Sequence, residues 1–139
     1  TSTADTLAKI RAVWISHPHA DHHLGILRLL SERNAQEHPL LLLAPTSLFR
    51  FLREYESVDP DIQKSYIAID CKDLVQDNPT VVAQLQQALG VTGCRSVPVA
   101  HCAHSYAVVL DGTSFGRLAY SGDCRPSREL AQVGLGADV

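Results

Sequence analysis

The sequence has no run of about 18 apolar residues, so no membrane-spanning helix is readable in it. Its longest apolar stretch, Pro39 to Pro45, has the length of a single strand. No basic segment followed by an apolar one marks a signal peptide at the start. No two of the four cysteines (Cys71, Cys94, Cys102, Cys124) form a Cys-x-x-Cys pair, which argues against a zinc ribbon. A chain this apolar does not need a disulfide framework either. The net charge of -3 gives no overall basic field, so charge balance alone points to no nucleic-acid partner. Repeats, low-complexity tracts and linkers are lacking too, and the 139 residues fit one core. What remains, 45% apolar and 19% charged, is the composition of a globular domain.

The first half alternates short apolar runs with helical spacing. Ala12 to Ser16 reads as a buried strand. Leu24, Ile26, Leu27, Leu29 and Leu30 then give a helix ending near Ser31 to Asn34. Leu40 to Ala44 is a second buried strand. Thr46 is placed to cap the helix that follows, with Leu48, Phe49, Leu52 and Tyr55 on its apolar face. Tyr66 to Ile69 is a third strand. The Asp77-Asn78-Pro79 turn introduces a helix from Val81 to Leu89, stopped by Gly90. From Cys94 the pattern turns to antiparallel strands at Ser96 to Ala100, Tyr106 to Leu110 and Leu118 to Ser121, with a turn at Asp111-Gly112. A last helix runs from Pro126 to Val133, with Gly134 past its end. The final residues, Gly134 to Val139, read as a loop entering a further strand, which suggests a partial domain spanning 1–139.

The chemistry lies in His17-Pro18-His19-Ala20-Asp21-His22, directly after the first strand. Residues two apart in extended chain point the same way, so His17 and His19 face one ion while Pro18 faces elsewhere. Where the chain turns toward the helix, Asp21 and His22 change direction and reach a second ion. Imidazole and carboxylate ligands suit zinc, with manganese or iron as alternatives. Two ions need more ligands than this cluster holds. His101 and Asp123 are the best candidates, each at a strand-to-loop junction, with Asp123 as a buried aspartate that bridges both ions. His23 is expected behind the ligands or as a cap, His104 is a weaker candidate of the same kind, Cys102 belongs to the core, and His38 to a solvated loop.

Three stretches are similar to the C-terminal half of the long form of tRNase Z, in the metallo-β-lactamase superfamily: Trp14-Ile15-Ser16-His17-Pro18-His19-Ala20-Asp21-His22-His23-Leu24-Gly25, Val99-Ala100-His101-Cys102-Ala103-His104-Ser105-Tyr106 and Ala119-Tyr120-Ser121-Gly122-Asp123-Cys124-Arg125-Pro126. The resemblance implies an α/β fold, part of an αβ/βα sandwich. It implies an endonuclease that cuts the 3′ trailer from precursor tRNA with two zinc ions and a metal-bound hydroxide. His17, His19 and His101 would hold one ion, Asp21 and His22 the other, with Asp123 between them and Asp21 as general base. The setting implied is intracellular, in nucleus or mitochondrion, with an amino-terminal half of the same protein as a further partner. Ala107 stands where the family usually has Gly, and Pro18 where it commonly has another residue; a last histidine ligand of the family lies beyond Val139. Arg28, Arg33, Arg125 and Arg128 are candidate contacts for RNA backbone. The competing readings are another hydrolase of the same fold, acting on a thioester, a lactam or a small phosphodiester, and an inactive binding fragment.

Overall fold

The computed structural model describes residues 2–32 and 39–139. The expectations for His38, Arg33 and the end of the first amphipathic helix at Asn34 fall outside them. The chain opens with α1 (Thr3–Lys9), which has little apolar periodicity and is held by a capping box between Ser2 and Asp5. Then come β1 (Ala12–Trp14), α2 (Ala20–His23), α3 (Gly25–Glu32), β2 (Leu40–Ala44), α4 (Thr46–Tyr55) and β3 (Tyr66–Asp70), with 3₁₀ turns over Ile62–Ser65 and Cys71–Leu74. The second half holds α5 (Pro79–Leu89), β4 (Val91–Pro98), β5 (Tyr106–Gly112), β6 (Gly116–Tyr120) and α6 (Arg128–Val133).

Helical crossovers between the early strands impose parallel pairing, and short turns between the late ones impose antiparallel pairing. One sheet is parallel, in the order β1-β2-β3, and the other antiparallel, in the order β4-β5-β6. β2 lies at the centre of the first sheet and all five of its residues are buried. Alternation splits them. Leu40, Leu42 and Ala44 join a core with Ile15, Ile26, Leu30, Leu48 and Leu52, under α3 and α4. Leu41 and Leu43 face the second sheet and pack with Ile69, Leu74, Leu85, Val91, Cys94 and Val108. A strand apolar on both faces is what a doubly covered sheet requires, at about 1.5–3 kcal/mol for each leucine buried. On the outer side, Gly134 at the end of α6 lies against Ala119 and Val109 of the second sheet. The layers are therefore helix, parallel sheet, antiparallel sheet, helix, a mixed α/β sandwich. Among the described residues no helix is long and apolar enough to cross a membrane.

Several local expectations are corrected. Thr46 does not cap α4: its hydroxyl donates to Asp70 at 2.7 Å, and Pro45 occupies the cap position without a side-chain bond. β4 starts at Val91, because a bulge between Val91 and Gly93 keeps an irregular stretch in register, and it stops at Pro98 rather than Ala100. Asp111-Gly112 is not the turn but the end of β5, paired with β4 and β6, so the connection shifts to 113–115. Pro126 lies outside α6, whose N-cap is Ser127, accepting from the Leu130 amide. At the other end of the chain, the Asp138 amide donates to the Arg117 carbonyl and the Ala119 amide to that of Val139, so these residues run along the edge of β6.

Candidate metal centre

β1 continues as extended chain beyond Trp14, with the Ile15 amide donating to the Leu43 carbonyl at 2.9 Å. This carries His17 into the space between the sheets, fully buried, with His19 on the same side and a ring-centroid distance of 4.8 Å. Asp21 and His22 were expected on a loop. They lie instead in α2, a single helical turn whose tightness swings His22 back under His17, with centroids 4.2 Å apart.

The second half brings His101 and Asp123 to the same place on bare loops. His101 sits in a bend past β4, closed by the Val99 amide on the Ser105 carbonyl and the Cys102 amide on Ser105 Oγ. His104, at φ +63°, takes the left-handed conformation that lets this bend reverse, and it is exposed and away from the other imidazoles. Cys102, expected in the core, is half-buried with its Sγ 3.2 Å from Ser105 Oγ. The bend is tied to the first strand by the Tyr106 amide on the Ser16 carbonyl, and to the Asp123 loop by the Arg125 amide on the Ala100 carbonyl, both at 2.9 Å. Gly122, at φ +57°, allows the closest approach: a Cβ there would stand 2.7 Å from Ser16 Cβ.

Two sets of potential ligand atoms result, His17 with His19 and His101, and His17 with His22 and Asp123, each within 4.8 Å. Asp123 Oδ2 lies 3.9 Å from His17 Nε2, 3.6 Å from His22 Nε2 and 3.7 Å from His101 Nε2. It was expected to be buried, yet its side chain is 51% exposed, because the loop after β6 is covered on one side only. Asp21 belongs to neither set; its carboxylate is 3.6 Å from His22 Nε2 and 82% exposed. His23 is buried against Phe51 and its Nε2 meets the Pro18 carbonyl at 3.1 Å, which pins the histidine loop from behind. Ser16 is a residue that sequence reasoning missed. Its Oγ lies 2.8 Å from His17 Nδ1, a contact that strand alternation does not announce because the two side chains leave opposite faces.

Burial pushes the His17 pKa down, and the neighbouring His22, His101 and His19 push the same way, against the pull of Asp123. The neutral imidazole that results is the form that ligates metal. With Nδ1 engaged by Ser16, His17 Nε2 is left buried without a hydrogen-bond partner. Such an orphan is costly in a protein interior, and a cation at the focus of these ligands would relieve it.

The beta-lactamase superfamily domain matches residues 1–139, the whole chain. The chain belongs to the beta-lactamase superfamily. This superfamily member is 31% identical over 144 residues to "Ribonuclease Z 2, mitochondrial" of Schizosaccharomyces pombe, covering 100% of the chain and 20% of that protein. It is 32% identical over 147 residues to "Zinc phosphodiesterase ELAC protein 2" of Macaca fascicularis, covering 96% and 18%. To "Ribonuclease Z, mitochondrial" of Drosophila melanogaster it is 30% identical over 141 residues. A solved long form RNase Z from yeast superimposes with a TM-score of 0.77 at 21% identity, over 92% of this chain and 22% of that one, which carries the fold. The superfamily member spans about a fifth of the length of these relatives.

Proposed function

We propose that the chain is part of the catalytic domain of a zinc-dependent endoribonuclease that removes the 3′ trailer from precursor tRNA. The observation that carries this reading is the buried, unpartnered Nε2 of His17 with His19, His22, His101 and Asp123 gathered about it, a donor set suited to metal. The relatives named ribonuclease Z and zinc phosphodiesterase supply the substrate class.

In this reading His17, His19 and His101 would hold one ion and His22 with Asp21 the other, with the Asp123 carboxylate as a further ligand. Bound ions would acidify water and stabilise charge gathering on the phosphate. Ser16 fixes the His17 ring so that Nε2 faces the centre. Asp21 accepts the proton of the attacking water, and its solvent exposure lets that proton leave. One water is consumed, one P–O bond breaks, and the strand ends as a hydroxyl and a phosphate monoester. Residues 1–139 act here as one partial domain, working with the rest of a longer polypeptide in an intracellular, mitochondrial setting like that named for two of the relatives.

The test replaces the matching segment of the Schizosaccharomyces pombe relative with this chain and assays precursor tRNA, beside the chain alone. The graft is expected to release the trailer, Asp21→Ala to abolish release without unfolding, and the isolated chain to be inactive. A zinc-loaded graft that leaves RNA intact but opens a thioester or lactam would replace the nuclease reading with that of another hydrolase of the same fold.

A further inference from the structure

Away from the metal ligands, a cleft of about 490 Å³ opens between α4 and the carboxyl end of β3. Arg50, Arg53 and Lys72 line it together with Phe49. Arg50 and Arg53 lie three residues apart on one face of α4, are exposed, and make no ion pair among the described residues. Two carboxylates also line the cleft, Asp70 and Asp73. Asp70 is consumed within the fold: it accepts from the Thr46 hydroxyl at 2.7 Å and from the Lys72 amide at 3.1 Å, and Lys72 Nζ stands 3.6 Å away. The same Thr46 bond clips the start of α4 to the end of β3, which makes the cleft a built feature of the sandwich. Phe49 is only half-buried, and its ring lies near-parallel to that of Tyr66, at 6.2 Å and tilted by 19°.

Position adds to chemistry. The histidine loop leaves the carboxyl end of β1, and the cleft lies at the carboxyl end of β3, at the same edge of the same parallel sheet. Two inter-strand steps separate them laterally, about 10 Å. Cations that follow a backbone, beside an aromatic face on which a base can stack, form the usual platform for single-stranded nucleic acid.

We propose that this cleft is a subsite for single-stranded RNA, with Arg50 and Arg53 on backbone phosphates and Phe49 under a base, at the same edge of the sheet as the metal centre. This rests on the nuclease reading above and adds the place where the strand is held. The probe is a fluorescein-labelled single-stranded RNA of mixed sequence, titrated with the chain over a range of salt, beside inorganic polyphosphate as a polyanion without bases. Arg50→Glu/Arg53→Glu is expected to weaken RNA binding about tenfold or more and to flatten the salt slope by about 1.4, the value for two phosphate contacts on a single strand. Lys9→Glu/Lys64→Glu, with the same charge change elsewhere on the surface, should leave that slope in place. Phe49→Leu, which keeps apolar bulk under the ring position, should weaken RNA roughly tenfold and leave polyphosphate binding as it was. RNA binding that is absent in the wild type, or equal in wild type and both cleft variants, overturns the subsite. Equal losses for RNA and polyphosphate in Phe49→Leu overturn the stacking role. The nuclease reading fails separately, by loss of trailer release in the graft, so each can fall without the other.

Discussion

The two halves of the molecule position their candidate ligands by different means. In the parallel half, His17 and His22 come from the buried chain just past the half-buried β1 and the helical turn behind it, and His17 is fully buried. In the antiparallel half, His101 and Asp123 stand on loops, with side chains 29% and 51% exposed. The first pair is positioned by the core, the second by backbone hydrogen bonds to Ser16 and Ala100. A rigid half and an adjustable half together form a site whose ligand distances can close onto an ion without repacking either core.

This contrast can be broken most severely at His17, the residue common to both ligand sets. His17→Ala, which removes the buried ligand, should lower zinc affinity more than His101→Ala, which removes an exposed one. Since loss of a mere outer partner costs about 10–100-fold in metal affinity, loss of the buried ligand itself should cost more than about 100-fold. Zinc titrations of the two variants check this, and equal affinities would contradict the greater weight of the buried ligand. Next in size is Ser16→Ala, which leaves the core intact and frees His17 Nδ1. Zinc affinity should fall about 10–100-fold by calorimetry, and the metal-free chain, with a second unpaired buried ring nitrogen, should lose about 1–3 kcal/mol.

Gly122→Ala strikes the seam itself. A Cβ cannot fit 2.7 Å from Ser16 Cβ, and the positive φ adds strain, so the variant should lose about 1–3 kcal/mol in urea unfolding. A neutral result would show that the Asp123 loop is free to lift away.

The smallest effect is on pH dependence. Because the folded chain holds His17 below its ordinary value of 6.5, the unfolded chain binds more protons as pH falls through that range. Metal-free stability should therefore be full above about pH 6.5 and decline below it, and His17→Gln should flatten that decline. An unchanged slope in the variant would assign the dependence to other groups.

What was readable from the sequence follows the same division. His17, His19, Asp21 and His22 form a local pattern: strand alternation, a change of direction, then an amphipathic helix, all settled within a dozen residues. His101 and Asp123 were readable only as residues at strand ends inside familiar stretches, since their meeting with His17 depends on how two sheets dock. The errors share one cause. Thr46 has the composition of a cap, but a partner 24 residues away claims its hydroxyl. Asp111-Gly112 has the composition of a turn, but pairing on both sides keeps it in a strand. The contact of Gly122 with Ser16 and the bond from Arg125 to Ala100 join distant positions that carry no mark of each other.

The distribution of each ligand set over both sheets has a thermodynamic consequence. His101 and Asp123 meet His17 only while the antiparallel sheet is seated on the parallel one, so a metal ion favours the docked arrangement over any in which the sheets separate. Mass action sets the size of this linkage: at a hundred times the dissociation constant, an ion that ignores the undocked chain favours the docked form by about 2.7 kcal/mol. On the proposed reading, free zinc would clamp the two layers, and its depletion would be felt first as opening along the seam between Ser16 and Gly122.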